Sequence, residues 1–305
     1  MKRFTIGVVV FGLLTFLALT LAFTESGLHL PPNPVPAARA DAARALAVRY
    51  KAAFSTVTID AKDGVTLEAW DFRRSAEAPT VLVLHGHADN KGSMLGYTDM
   101  LLAHGYSVLL PDARGHGNSS GNLLTFGFYE RDDLKRWADL ATSRQQAPCL
   151  YAAGVSMGAG IVLQSLPVIP RFCAVVAESS YSSFRDVGIW RMQGLFGNVP
   201  FFPALLVGSA FGYARLRFGV DLDQVSPERA IAETRTPVLL IHGTDDVNIP
   251  IEQSRKLLRT HRPDVEFWEV PGGTHVRIRG ADPAGYARRV YSWFDTHYAL
   301  RNEAK

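Results

Sequence analysis

The chain has 305 residues, 47% of them hydrophobic and 20% charged, and its 32 Lys and Arg against 29 Asp and Glu leave a formal net charge of +3. This composition is enough to bury a large core, and interspersed charges without a basic stripe exclude nucleic acid as a partner. With no Cys/His cluster, no His-Glu-x-x-His and no phosphate loop, no metal or cofactor is expected.

After Met1-Lys2-Arg3, residues Phe4 to Phe23 carry no charge. As a helix this stretch spans about 30 Å, the thickness of a bilayer's hydrocarbon core. Residues 1–23 therefore form a transmembrane anchor or a signal peptide, Thr20-Leu21-Ala22 being a passable cleavage site. Lys2 and Arg3 flank the span on its N-terminal side, and Arg39 is the basic residue of the stretch beyond it. The positive-inside rule then places the N-terminus in the cytoplasm and the rest of the chain outside, single-pass, or secreted if the segment is cut. Residues 24–53 follow as a spacer, with Pro31, Pro32, Pro34 and Pro36 favouring extended geometry, and a short Ala/Arg-rich helix over 37–52.

Phe54–Asp60 and Val65–Phe72 alternate apolar with polar residues around Lys62-Asp63-Gly64, a hairpin pattern. From Thr80 onward, continuous apolar runs (81–84, 108–110, 150–155, 174–177, 238–241, 265–270) alternate with helix-length segments near 91–104, 129–145, 156–166, 250–260 and 283–298. Strands buried on both faces between helices predict a mostly parallel, doubly covered α/β sheet. Between Ser179 and Thr236 the alternation fails, and residues such as Trp190, Leu195, Phe196, Phe201, Phe202 and Phe211 predict an apolar helical lid, about 182–232, over a pocket. Cys149 and Cys173 each precede or open a buried run and read as small buried thiols, a bridge between neighbouring strands being the alternative in an exported domain.

The run Leu150–Val155 ends in Gly154-Val155-Ser156-Met157-Gly158 and passes directly into a helix-like segment. A serine on so sharp a strand-to-helix turn holds its hydroxyl above the sheet, and the turn aims the Met157 amide toward an oxyanion formed there. Serine needs a base and the base needs an orienting group. His275, in the Gly-rich loop after the last strand-like run, is the candidate base. The acid is sought in Thr244-Asp245-Asp246, in the loop after 238–243, with Glu178 at the end of the preceding strand as a rival.

These motifs, over about residues 54–300, resemble the α/β-hydrolase superfamily. There, His-Gly-x-x-Asp followed four residues later by Pro marks the acid, which matches Asp246 and Pro250, with Asp245 as fallback. The resemblance implies an eight-stranded sheet and one catalytic domain over 54–305. It also gives the backbone N–H after His85-Gly86, that of His87, a place beside Met157 in an oxyanion hole. Asp112-Ala113-Arg114-Gly115-His116-Gly117-Asn118-Ser119 is similar to a structural loop of the same superfamily, and Gly154–Gly158 to monoacylglycerol-lipase-like and membrane-anchored members. Val155 stands where many relatives carry His or Gln. The expected activity is a membrane-anchored serine hydrolase (carboxylesterase or lipase-like) acting on acyl-ester or lipid-like substrates through Ser156, His275 and Asp246. Peptidase or thioesterase chemistry with the same triad, or a non-catalytic binding module, are the alternatives.

Overall fold

The computed structural model describes residues 2–197, 199–260 and 263–303. Met1, the side chains of the basic flank Lys2-Arg3 and the last two residues of the expected 54–305 domain lie outside the described residues. Two helices come first, α1 (Lys2–Leu28) and α2 (Ala37–Arg49). The sheet then begins with β1 (Ala53–Asp60), β2 (Thr66–Arg73) and β3 (Thr80–Leu84), followed by α3 (Leu95–Ala103), β4 (Ser107–Pro111) and α4 (Glu130–Ser143). Next come β5 (Leu150–Val155), α5 (Met157–Ser165), β6 (Phe172–Glu178), α6 (Phe184–Phe196), α7 (Phe202–Phe218) and α8 (Pro227–Ala232). The chain closes with β7 (Val238–Gly243), α9 (Glu252–Leu258), β8 (Val265–Val270), α10 (Ile278–Ala281) and α11 (Pro283–Glu303).

The eight strands form one sheet in the order β1-β2-β4-β3-β5-β6-β7-β8. The two pairings of β2 are antiparallel and all others parallel, as the opening hairpin and the later crossovers predict. Alternation along each strand feeds two cores. In β3, Leu82 and Leu84 pack with Leu134 and Trp137 of α4 and Ile161 of α5, while Val81 and Val83 pack with Ala43 of α2, Leu101 of α3 and Phe294 of α11. Burying each such side chain contributes about 1.5–3 kcal/mol, which is why β3 to β7 are mostly apolar on both faces.

Cys149 and Cys173 are bridged, with Cα atoms 5.4 Å apart, so the reading as free thiols gives way to the alternative. The pairing of β5 with β6 skips Cys173 between Leu150↔Phe172 and Tyr151↔Ala174, and this bulge brings it beside Cys149.

Residues 29–36 also depart from expectation. The prolines extend the chain, but it does not stand off the domain as a spacer. The Asn33 side-chain amide donates to Ala88 O (3.0 Å), Asn90 donates to Asn33 O (3.4 Å), and Leu30 packs on the core. α1 likewise runs past Phe23 to Leu28, and its last turns pack on α7 within a third apolar cluster shared with α6.

Candidate active site

Ser156 sits between β5 and α5 at φ 54°, ψ −117°, a conformation that L-residues rarely hold and that a tight strand-to-helix turn imposes. Its amide donates to Glu178 O (2.8 Å) on the neighbouring strand, which fixes the turn against the sheet. The flanking glycines are required by close approach. A Cβ on Gly154 would lie 2.4 Å from the Gly158 backbone, and one on Gly158 would lie 2.5 Å from Leu84 O.

Three loops at the carboxyl edge of the sheet bring the sequence candidates together. His275 Nε2 lies 3.0 Å from Ser156 Oγ and His275 Nδ1 lies 2.7 Å from Asp246 Oδ2. The Asp246 side chain is fully buried, and its Oδ1 accepts the amides of Asn248 and Ile249, both at 2.9 Å. Burial alone would raise the Asp246 pKa, but hydrogen bonds from His242, His275 and the Ile249 amide outweigh it and hold the carboxyl well below the usual range. Asp246 is thus an anion facing Nδ1, which places the proton on Nδ1 and leaves Nε2 free to accept the serine proton.

The rival carboxylates are engaged elsewhere. Asp245 is exposed and accepts the Thr244 hydroxyl (2.9 Å), while its amide donates to Gly273 O (2.9 Å) and staples the two loops together. Glu178 is buried with Oε2 accepting Tyr97 and Tyr286 hydroxyls at 2.9 and 2.8 Å. Its burial pushes its pKa up against those two donors. Neither hydrogen-bonds His275.

Met157 opens α5, so its amide is one of the first-turn donors that a helix leaves unpaired. Gly86 approaches from the other side, a Cβ there falling 3.6 Å from Ser156 Cβ, and this carries the His87 amide to the same edge. Two imidazoles brace this loop. His85 donates from Nδ1 to Gly86 O (2.7 Å) and accepts the Ala113 amide at Nε2 (3.1 Å). His116 donates from Nδ1 to Arg114 O (2.9 Å) and accepts the Ala88 amide at Nε2 (3.3 Å). Both roles need neutral rings, and burial supplies them, lowering His85 to about 4 and shifting His116 downward. The His87 ring stacks on Phe126, and the protein around it, then His116 and Arg191, lower its pKa to about 4.

Sequence reasoning missed several groups. His242 reaches Asp246 Oδ2 at 3.2 Å and takes the Ser254 hydroxyl at 2.7 Å, a support that only its position on β7 beside the acid loop could have suggested. Lys91, with no exposed surface, pairs with Asp112 and with Glu68 (2.9 Å) beneath the His87 loop. A cavity of about 1180 Å³ opens above Ser156 and His275, larger than most small-molecule sites. Tyr181, Phe184, Trp190 and Met192 line it, Arg191 is its one lysine or arginine among the described residues, and Phe23 and Gly27 of α1 complete a wall. Among the described residues no group of three or more His, Cys, Asp or Glu is placed to hold a metal ion.

The sheet order, the nucleophile turn and the three-loop site define an α/β hydrolase, and the chain belongs to that superfamily. Residues 75–197 match the family model described as serine aminopeptidase, S33. The Bacillus subtilis protein YqkD is 28% identical over 222 residues, 71% of each chain. The Pyrococcus furiosus esterase Pf2001 has the same fold, with a TM-score of 0.66 at 24% identity over 82% of this chain and 94% of its own. A bacterial membrane phospholipase A described as a virulence factor gives a TM-score of 0.58 at 18% identity, over 97% of this chain and 99% of its own.

Proposed function

We propose that the protein is a serine hydrolase of carboxylic esters, anchored by α1 with its N-terminus in the cytoplasm and its catalytic domain outside. The hydrogen-bonded series Ser156–His275–Asp246 at the floor of an apolar cavity carries this reading. Ser156 Oγ attacks the ester carbonyl carbon while its proton passes to His275 Nε2, and Asp246 steadies the imidazolium. The oxyanion takes hydrogen bonds from the His87 and Met157 amides. The leaving alcohol takes the proton from His275, and water then repeats the sequence on the acyl-enzyme to release the acid.

The Cys149–Cys173 bridge supports placement outside the cytoplasm, where disulfides persist. The length of α1 and the absence of charge from Phe4 to Thr24 support the anchor. An aminopeptidase reading draws on the matched family model and on Asp89, the one carboxylate lining the cavity among the described residues, which would have to take the substrate's amino terminus. Full-length protein in detergent, assayed on p-nitrophenyl esters of rising chain length and on aminoacyl p-nitroanilides, separates the two. Ester turnover that vanishes in Ser156→Ala and reaches beyond short acyl chains is expected. Turnover of the anilides with no ester activity would instead establish the peptidase.

A further inference from the structure

α1 and α7 run side by side in the same direction. Phe16 packs on Phe202 (ring centroids 6.1 Å), Thr20 Oγ1 meets Ser209 Oγ (3.0 Å), Tyr213 donates to Glu25 (2.6 Å), and His29 packs on Phe218 (5.4 Å). Glu25 is the first charged residue after Arg3, so the hydrocarbon boundary on this side of a span falls near Phe23–Thr24. Phe16 lies seven residues earlier, about 10 Å deeper at the rise of a helix. The register therefore sets the start of α7, and the α6–α7 turn before it, about 10 Å inside the leaflet.

The surface of that turn matches the depth. No residue from Met192 to Ala214 carries a charge, while Arg191 precedes the stretch and Arg215 and Arg217 follow it. Phe201 is 89% exposed and Leu205 59%, and Val199 is exposed beside them. In water such a tip is a liability, whereas in a leaflet it is an anchor bounded by cations at the headgroup level. Phe23 and Leu195 line the cavity above Ser156 and also remain exposed, so they stand at its rim, Phe23 level with the hydrocarbon boundary and Leu195 on the last turns of α6 leading to the tip.

We propose that the α6–α7 tip is embedded in the outer leaflet beside α1, and that the cavity opens onto that leaflet, so the substrate is a membrane lipid whose acyl chain reaches Ser156 without crossing water. The chemistry rests on the ester-hydrolase reading, and the position of the tip rests only on α1 as the membrane anchor.

The test uses full-length protein in phosphatidylcholine nanodiscs, the native cysteines being bridged. An environment-sensitive fluorophore is placed at Phe201→Cys, with Val48→Cys on exposed α2 as the aqueous control. Quenching at 201 by lipids brominated on the upper acyl chain, and none at 48, is expected. An aqueous spectrum at 201, or an apolar one that brominated lipid does not quench because a second copy covers the tip, overturns the embedding. In parallel, Phe201→Asp/Leu205→Asp is expected to lose about tenfold or more of its activity on nanodisc phospholipid, since carboxylates are costly in hydrocarbon, while p-nitrophenyl butyrate turnover is kept. Equal loss on both substrates, or no loss on either, overturns the delivery route. Butyrate turnover by the parent without phospholipid turnover overturns the lipid substrate and leaves the ester reading intact. No turnover of any ester instead defeats the ester reading, and the quenching still decides where the tip lies.

Discussion

Asp246→Asn tests the orienting acid at a site whose surroundings leave asparagine little choice. The Oδ1 position accepts two backbone amides, from Asn248 and Ile249, whose protons are fixed, whereas the imidazoles at Oδ2 can change tautomer, so the asparagine oxygen stays at Oδ1. The NH2 group then occupies the Oδ2 position, 2.7 Å from His275 Nδ1 and 3.2 Å from His242 Nε2. Facing a donor, Nδ1 loses its proton to Nε2, and Nε2–H cannot take the proton from Ser156 Oγ. By analogy with the same substitution in other serine hydrolases the expected fall in kcat is about 10⁴-fold, or about 5 kcal/mol of barrier. The assay is kcat for p-nitrophenyl butyrate with the melting temperature as a check on folding, and Asp245→Asn, exposed and away from His275, is the control expected to stay within about twofold. A folded Asp246→Asn enzyme within about tenfold of the parent would refute this assignment.

Other consequences follow from the geometry. Gly154→Ala, which drives a Cβ into the Gly158 backbone at 2.4 Å, should cost at least about 3 kcal/mol in urea unfolding or prevent folding outright. His85 is neutral when folded with a pKa of about 4, below its ordinary 6.5, so its contribution is fully present above pH 6.5 and is lost as pH falls toward 4. At about pH 5 that amounts to about 2 kcal/mol, and His85→Gln should flatten the melting-temperature profile between those limits. The Cys149–Cys173 bridge spans 24 positions in sequence, and the double serine variant should lose about 3 kcal/mol, read as a lower urea midpoint that dithiothreitol no longer shifts.

Much of the sheet and the site was legible because parallel strands buried on both faces leave unbroken apolar runs, and reactive groups of such sheets fall in the loops at their carboxyl ends. Ser156, Asp246 and His275 each follow such a run, and the glycines around Ser156 mark a turn that has no room for a side chain. What was not legible depends on distance. The disulfide needs the bulge at Cys173, which no local pattern announces. α1 is apolar on every face, so sequence shows a helix long and apolar enough to cross a membrane but not that Phe16, Thr20 and Phe23 are turned toward α7 and the cavity. Residues 29–36 look like a free linker because prolines extend the chain equally well against a protein surface, and the contact is made by Leu30, Asn33 and Val35 between them.

The most direct measurement is intact-mass analysis of the full-length protein after exposure to a fluorophosphonate, beside Ser156→Ala and His275→Ala. The full chain is essential because truncation before α2 would remove Phe23, Gly27 and Asn33 from the cavity and the His87 loop. One adduct on the parent, absent from Ser156→Ala and slowed in His275→Ala, is the result expected of an activated serine. A folded parent that takes up no adduct, or one that takes it up equally without Ser156, would contradict the assignment of Ser156 as the nucleophile.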